Sequence, residues 1–494
     1  MNNAYTRLCQ RFRRLSRFGH LSAIAGWDMQ TMMPAGGSEA RGEALAELSL
    51  LQHQLLTDKE NGDLLRAAAD LPLTPDERAN LQEMTRQWQQ AVLLPAELVE
   101  AKSIAGMRCE HAWRTQRQAN DWQGFSENLR EVVRLSRQEA DIRATANGTS
   151  RYDALLDLYE PGMDSQQLDS VFNDLKQWLP ALLTRVVEKQ SATRPRTPTG
   201  TFPPPLQKQL GLQVMQTLGF DFNHGRLDIS AHPFCGGVPE DVRITTRYDE
   251  QHLLSALMGV IHETGHARYE QNLPKQWAGQ PAGLARSTAI HESQSLFMEM
   301  QLGRSREFLE FIQPQVEAIF GSQPALEKDN FVALAQQVKP GFIRVDADEV
   351  SYPAHVMLRY DIEKALIEGE IEVEDIPSLW DEKMHHYLGL DTRGNYREGC
   401  MQDIHWTDGA FGYFPTYTLG AMYAAQLFAA AKQQLPAISE EIARGNLQNI
   451  SGWLNDHIWQ YGSLLTTDEL LTKATGQTLN PAFFRQHLEQ RYCS

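Results

Sequence analysis

Positive charge is in short supply in this chain: 46 Lys and Arg stand against 63 Asp and Glu, a formal net charge of −17. Phosphate backbones and anionic lipid surfaces are held by clustered Lys and Arg, so the balance speaks against a nucleic-acid or membrane partner. Long apolar runs are missing as well. None approaches the ~20 residues that a membrane-spanning helix needs. Cysteine is sparse: Cys9, Cys109, Cys235, Cys400 and Cys493 are scattered, odd in number and without a CxxC pair. That pattern suggests reduced thiols and points to neither a disulfide framework nor a cysteine-zinc site. The opening "MNNAYTRLCQRFRRL" is basic but lacks an apolar core and a small-residue cleavage site, so it does not read as a secretory signal. Repeats and low-complexity tracts are absent. An acidic, cytoplasmic globular protein is expected, with one large domain or two to three smaller ones.

What is present is mostly helix. "EARGEALAELSLLQHQLL", "DERANLQEMTRQWQQAV" and "FSENLREVVRLSRQEADIR" place apolar residues three and four apart with charges between them. Starts are marked by Ser38, by Pro75 and by Pro95. The segment "SATRPRTPTGTFPPP" (Ser191 to Pro205) blocks helix, which predicts a linker between an N-terminal helical lobe (1–190) and a catalytic region (206–494) of one 1–494 domain. Between Arg226 and Tyr248, "RLDIS" and "DVRITTRY" alternate in polarity around "HPFCGGVPE", predicting a small antiparallel sheet.

The next segment, "LMGVIHETGHARYE", carries chemistry. Residues four apart share a helix face, so His262 and His266 can offer two imidazoles to one ion. Glu263, rotated about 100°, can reach a water beside that ion without ligating it. This is the H-E-x-x-H arrangement, in which zinc activates water and the glutamate takes its proton. A solvated face would also tolerate two histidines, but "LLSALMGVI" is too apolar for one, and burying three titratable groups without partners is costly. Gly265 costs about 1 kcal/mol against alanine inside a helix, so a packing or approach requirement is expected there.

Catalytic zinc uses three protein ligands and one open position. The metzincin third ligand is excluded, because Tyr269 and Asn272 stand where Gly and His are needed. A glutamate on the next helix remains: Glu292, in "RSTAIHESQSLFMEMQLG" after "AGQPAGLA", with Glu299 one heptad later as its competitor. His291 reads either as a support for the ligands or as an ordinary helix residue.

These motifs occur in a recognisable order. "HPF" (His232–Phe234), "DVRIT" (Asp241–Thr245), "HETGH" (His262–His266), "HESQ" (His291–Gln294), "IRVDAD" (Ile343–Asp348) and "GCMQDIHW" (Gly399–Trp406) follow "WDMQTMMPAGG" (Trp27–Gly37). The chain thereby resembles the carboxypeptidase Taq (M32) family of metallocarboxypeptidases along essentially its whole length. The resemblance implies a mainly α, two-lobed gluzincin fold with a deep central groove, similar to angiotensin-converting enzyme and neurolysin. It implies removal of single residues from peptide C-termini with broad specificity, C-terminal proline being resisted. It further implies one Zn²⁺ per subunit, replaceable by Co²⁺, and a homodimer.

A carboxypeptidase must hold a terminal carboxylate, and in so acidic a chain that needs local cations, for which arginine offers a bidentate fork. Arg344 is the first candidate and Arg243 the second; the ordinary alternative is a salt bridge to Asp348 or Asp241. His232 either contacts substrate or fixes its turn. By resemblance to related gluzincins, His405 and Tyr417, with Tyr413 next, are expected to stabilise the oxyanion. The rival readings are an oligopeptidase or endopeptidase of the same fold, and a helical binding scaffold without catalysis.

Overall fold

The computed structural model describes residues 3–494. The three periodic stretches form helices Ser38–Thr57, Pro75–Val92 and Trp122–Asn147. Pro75 opens the second of these behind a reciprocal cap. There the Glu77 N–H donates to Thr74 Oγ1 (3.3 Å) and the Thr74 N–H to Glu77 Oε2 (2.9 Å). Pro95 is the N-cap of helix Ala96–Gln118. Helix Ser165–Ser191 stops where the prolines begin, and the next helix starts at Pro204. Helix predominates to the C-terminus, interrupted by one three-stranded sheet. Among the described residues no helix is long and apolar enough to cross a membrane.

The sheet corrects the antiparallel expectation. Strands β1 (Gly225–Ile229) and β3 (Asp241–Thr246) run parallel, with Leu227 opposite Ile244. The reversal is supplied by β2 (Cys235–Val238), which lies antiparallel to β3, so the order is β1-β3-β2. A strand of sequence "CGGV" has almost no side-chain pattern, and for that reason it read as connection. Its Gly237 has φ +86°, and a Cβ there would lie 2.1 Å from the Asp241 carbonyl oxygen. Leu227, Val242 and Ile244 from the sheet join Val260 and Ala267 of helix Leu253–Gln271 in one apolar cluster with Met215 and Phe220. The sheet therefore backs the helix that carries HETGH.

Chain order and compactness part ways. One boundary does fall within 191–205, between Arg194 and Pro195, but two compact units are each assembled from three separate stretches. The first comprises the chain up to Val92, Pro195–Ala335 and Gly420–Phe483; the second comprises Leu93–Arg194, Gln336–Leu419 and Phe484–Ser494. In the first, Tyr5, Leu8 and Phe12 pack at helical spacing against Leu64, Leu65, Leu81 and Met84. Buried Arg286 stitches its three stretches together: it pairs with Glu83 (2.9 Å) and donates to the carbonyls of Ser463 and Leu465 (both 3.2 Å). In the second unit the stitch is Glu349, which accepts from His487 Nε2 (2.5 Å), Arg491 Nη1 (3.0 Å) and Tyr492 Oη (2.7 Å) of helix Ala482–Cys493.

Burial works against the Glu349 charge, but His487 and Arg491 outweigh it and hold the carboxyl well below its usual range. A depressed carboxylate pKa stabilises above the unfolded value of about 4.3 and loses that contribution as pH falls through the folded value. Protection against hydrogen exchange at 484–493, taken relative to the intrinsic rate at each pH, is accordingly expected to fall on acidification below about pH 4. Glu349→Gln should show fast exchange already at neutral pH, since breaking a buried pair costs about 3–5 kcal/mol.

Candidate metal centre

Helix Leu253–Gln271 buries Ala256, Leu257, Met258, Val260 and Ile261 before presenting His262, Glu263 and His266. The imidazoles stand one turn apart, ring centroids 5.0 Å from each other. Glu292 comes from helix Thr288–Leu296, whose start is fixed by the Ser287 side chain accepting from the Ile290 N–H (3.1 Å). His262 Nε2 lies 4.0 Å from Glu292 Oε1, and His266 Nε2 lies 3.4 Å from Glu292 Oε2. Tetrahedral ligands 2.0–2.2 Å from zinc stand about 3.3–3.6 Å apart. The three donors therefore fit one divalent cation after small adjustment. Among the described residues they are the one His/Cys/Asp/Glu group gathered closely enough to do so.

The remaining ring nitrogens are also accounted for. His262 Nδ1 hydrogen-bonds Glu299 Oε2 (3.0 Å), and Arg304 Nη2 donates to Glu299 Oε1 (2.9 Å). His266 Nδ1 faces the His291 carbonyl oxygen (3.1 Å) and His291 Nδ1 (2.6 Å), while His291 Nε2 meets Glu270 Oε1 (2.7 Å). Once the Nε2 proton of charged His262 is displaced, protons kept on both Nδ1 atoms leave both Nε2 lone pairs turned toward Glu292, the tautomer that a metal ligand needs. Glu299, the rival ligand from sequence, thus sits behind His262. It lies on a π-helical run, Phe297–Gly303, whose wider turns break the register that would have returned it to the face of Glu292.

Gly265 now has its reason. A Cβ there would lie 2.4 Å from the Gln294 carbonyl oxygen and 2.6 Å from Ser295 Cα. The two helices that carry these donors touch backbone to backbone, which only glycine permits.

The electrostatics follow from this crowding. Burial alone would lower His262, yet Glu292 and Glu299 carry it up to about 10. Burial, then the neighbouring His291, brings His266 down to about 4. Burial opposes the charge of Glu292, but His262 and His266 hold it at about 2. Burial pushes Glu263 up to about 7 against the pull of His262, and Glu292 adds to the rise. Glu263 Oε2 is buried with no hydrogen-bond partner. Three carboxylates thus share this interior with one charged imidazole and Arg304, a field that favours a divalent cation.

The other predicted residues fall into two places. On the sheet of the first unit, Arg243 pairs with Asp241 (2.6 and 3.0 Å), the ordinary alternative raised from the sequence. Its guanidinium also lies 4.4 Å from the Trp27 ring centroid. His232 is exposed in a turn held by the Ser230 hydroxyl, which donates to the His232 carbonyl (2.6 Å). In the second unit, Arg344 is buried, and its partner is Asp403 instead of Asp348: Nη2 donates to Oδ1 at 2.9 Å and Nε to both oxygens at 3.2 Å. Nη1 donates to Tyr352 Oη (2.8 Å). Asp348 is occupied with the N–H groups of Lys339, Val350 and Ser351. His405 stacks on Tyr413 (5.6 Å between centroids), and its Nε2 lies 3.5 Å from Tyr417 Oη. Burial, with Arg344 and Arg359 adding to it against Asp403, brings His405 down to about 3, so the ring is neutral near pH 7.

Sequence reasoning missed Arg359 and Glu363. Arg359 is sandwiched between Trp406 (3.7 Å) and Phe414 (4.1 Å) and bonds Glu363 through Nε (3.2 Å). Glu363 accepts from the Gly412 N–H (2.6 Å) and Trp406 Nε1 (3.3 Å), so the pair braces the segment bearing His405 and Tyr413. Arginine and glutamate four apart on a helix read as a surface pair. The only cue against it was the apolar company they keep in "HVMLRYDIEKAL".

Comparison with known proteins agrees throughout the chain. The family profile described as carboxypeptidase Taq (M32) metallopeptidase matches residues 7–492. Thermostable carboxypeptidase 1 of Thermus thermophilus is 38% identical, the alignment covering 99% of this chain and 98% of that protein. Carboxypeptidase 1 of Bacillus subtilis is 36% identical over 97% of this chain and 96% of its own length. Among solved structures, Trypanosoma cruzi metallocarboxypeptidase 1 is 49% identical and superimposes with a TM-score of 0.98 over 99% of both chains.

Removing the carboxylate behind a ligating histidine typically weakens metal binding by 10–100-fold. Glu299→Gln is expected to do so here, with stoichiometry unchanged, in a Zn²⁺ titration against a chromophoric chelator. An equal loss of stoichiometry and affinity would instead make Glu299 a ligand.

Proposed function

Because the chain belongs to the carboxypeptidase Taq (M32) metallopeptidase family and is a metallocarboxypeptidase, we propose that it hydrolyses the last peptide bond of peptides with broad specificity, resisting C-terminal proline, with Zn²⁺ held by His262, His266 and Glu292. The observation that carries this reading is the buried, unpartnered Oε2 of Glu263 beside a group of three metal-type donors. A divalent cation in such a site polarises a carbonyl and makes water acidic enough to ionise near neutral pH.

The chain's own residues do the rest. Glu263 takes the proton from the attacking water, whose oxygen bonds to the carbonyl carbon. As the carbon–nitrogen bond breaks, Glu263 passes that proton to the leaving amine. A carboxyl raised toward neutrality by burial suits a group that must both accept and return a proton. His405, neutral, and Tyr417 act as hydrogen-bond donors to the developing oxyanion, with Tyr413 stacked on His405 to orient it. Arg344 holds the terminal carboxylate of the substrate. Its guanidinium has five N–H groups and spends three on Asp403 and Tyr352, leaving one on each Nη atom. Asp403 fixes the plane of that fork in advance. Arg243 and His232 contribute further substrate contacts, and the working protein is a cytoplasmic homodimer in which Co²⁺ is able to replace Zn²⁺.

Two measurements test this. Glu263→Gln should retain one Zn²⁺ per chain while kcat falls about 10²–10⁴-fold, the range for a lost general base; undiminished turnover would remove Glu263 from its role. With an unblocked peptide, product analysis should show residues leaving singly from the C-terminus, and amidation of that terminus should abolish most of the rate. Indifference to amidation would favour an oligopeptidase.

A further inference from the structure

Helix Pro415–Gln434 uses alanine freely, at Ala421, Ala424, Ala425 and Ala429, yet places glycine at 420. Gly420 is buried within the helix, and its φ lies outside the left-handed region, so no turn or strained backbone calls for it. Its neighbour does. A Cβ at 420 would stand 2.7 Å from Cγ and 2.8 Å from Cβ of Glu292, with the Ala289 carbonyl oxygen at 3.2 Å. Carbon atoms rest at about 3.5–4.0 Å from one another, so something would have to move by nearly 1 Å.

The surroundings decide what moves. Cβ and Cγ are the root of the Glu292 side chain, and they shift only with a change of rotamer or of backbone. The backbone is pinned from the opposite direction, because Gln294 and Ser295 of the same helix already lie against Gly265. Nor is the glycine helix loose: Phe428, two turns beyond Gly420, packs edge-on against Phe297 with ring centroids 5.3 Å apart. The helix bearing Glu292 is therefore held between two glycines, one on each neighbouring helix.

We infer that Gly420 is a positioning residue for the metal centre: the space left by its missing Cβ is filled by the stem of Glu292, and this aims the carboxylate at the Nε2 atoms of His262 and His266. The inference rests on the reading of those three residues as metal ligands. Gly420→Ala would turn the Glu292 stem to another rotamer and carry the carboxylate off both imidazoles.

The test is a Zn²⁺ titration of the chelator-stripped full chain against a chromophoric chelator. Gly420→Ala is expected to weaken binding by about 10–100-fold, the range seen when a ligand's support is lost. Gly452→Ala is the control: Gly452 is a helical glycine with nothing within 4 Å of its would-be Cβ, and its substitution should leave affinity unchanged. Wild-type affinity in Gly420→Ala overturns the inference. Absence of stoichiometric Zn²⁺ in the wild type overturns the metal-centre reading itself, a failure visible before any variant is made. Stability gives a second readout. Gly420→Ala should lower the thermal midpoint of the metal-free wild type more than that of Glu292→Gly, in which the crowded stem is gone. Equal losses in the two backgrounds, or failure of both to fold, would place the clash on the Ala289 backbone and overturn the inference by that route.

Discussion

Gathering Glu263, Glu292 and Glu299 with two imidazoles in one interior is the constraint around which the first unit is built. An uncompensated buried charge costs several kcal/mol, and nearly every neighbouring element answers some part of that cost. Arg304 neutralises Glu299, Glu299 orients His262, and a backbone carbonyl with His291 orients His266. Glu263, by contrast, keeps Oε2 buried without a hydrogen-bond partner. A buried carboxyl oxygen left unsatisfied within a cluster of titratable groups marks a position where something from solution is handled.

That electrostatic arrangement depends on backbone placement more than on side-chain reach. The apolar sheet backs one side of the histidine helix through Leu227, Val242 and Ile244. On another side Gly265 lets the glutamate helix come into main-chain contact, and Ser287 and Arg286 fix where that helix begins. Donors held on packed helices keep their aim to within tenths of an ångström, which side chains on loops would not.

The parts of this site that were legible in the sequence are those governed by local periodicity. His262, Glu263 and His266 follow from four-residue spacing on an apolar helix, and Glu292 from the need for a return helix after a Gly/Pro connection. The cost of Gly265 was readable, although what it touches was not. Tertiary partners escaped: Arg344 was weighed against Asp348, four residues away, and it pairs with Asp403, fifty-nine away. Sequence proximity suggests partners, but the fold selects them. The parallel pairing of β1 with β3 escaped for a different reason, since the strand that makes it possible is half glycine. Arg359 and Glu363 were hidden by looking like a common helix-surface pair.

The threefold interleaving of each unit bears on how the protein is born. The unit that opens with the helices before Val92 is completed only by Gly420–Phe483, whose end lies nearly four hundred residues after Val92. At about 5–20 residues per second on a ribosome, that is a wait of roughly 20–80 s before the unit is complete, although the cluster of Tyr5, Leu8 and Phe12 with Leu64, Leu65, Leu81 and Met84 lies wholly within the first stretch. Neither unit can be released early as a finished body, and neither can be cut out as a contiguous fragment.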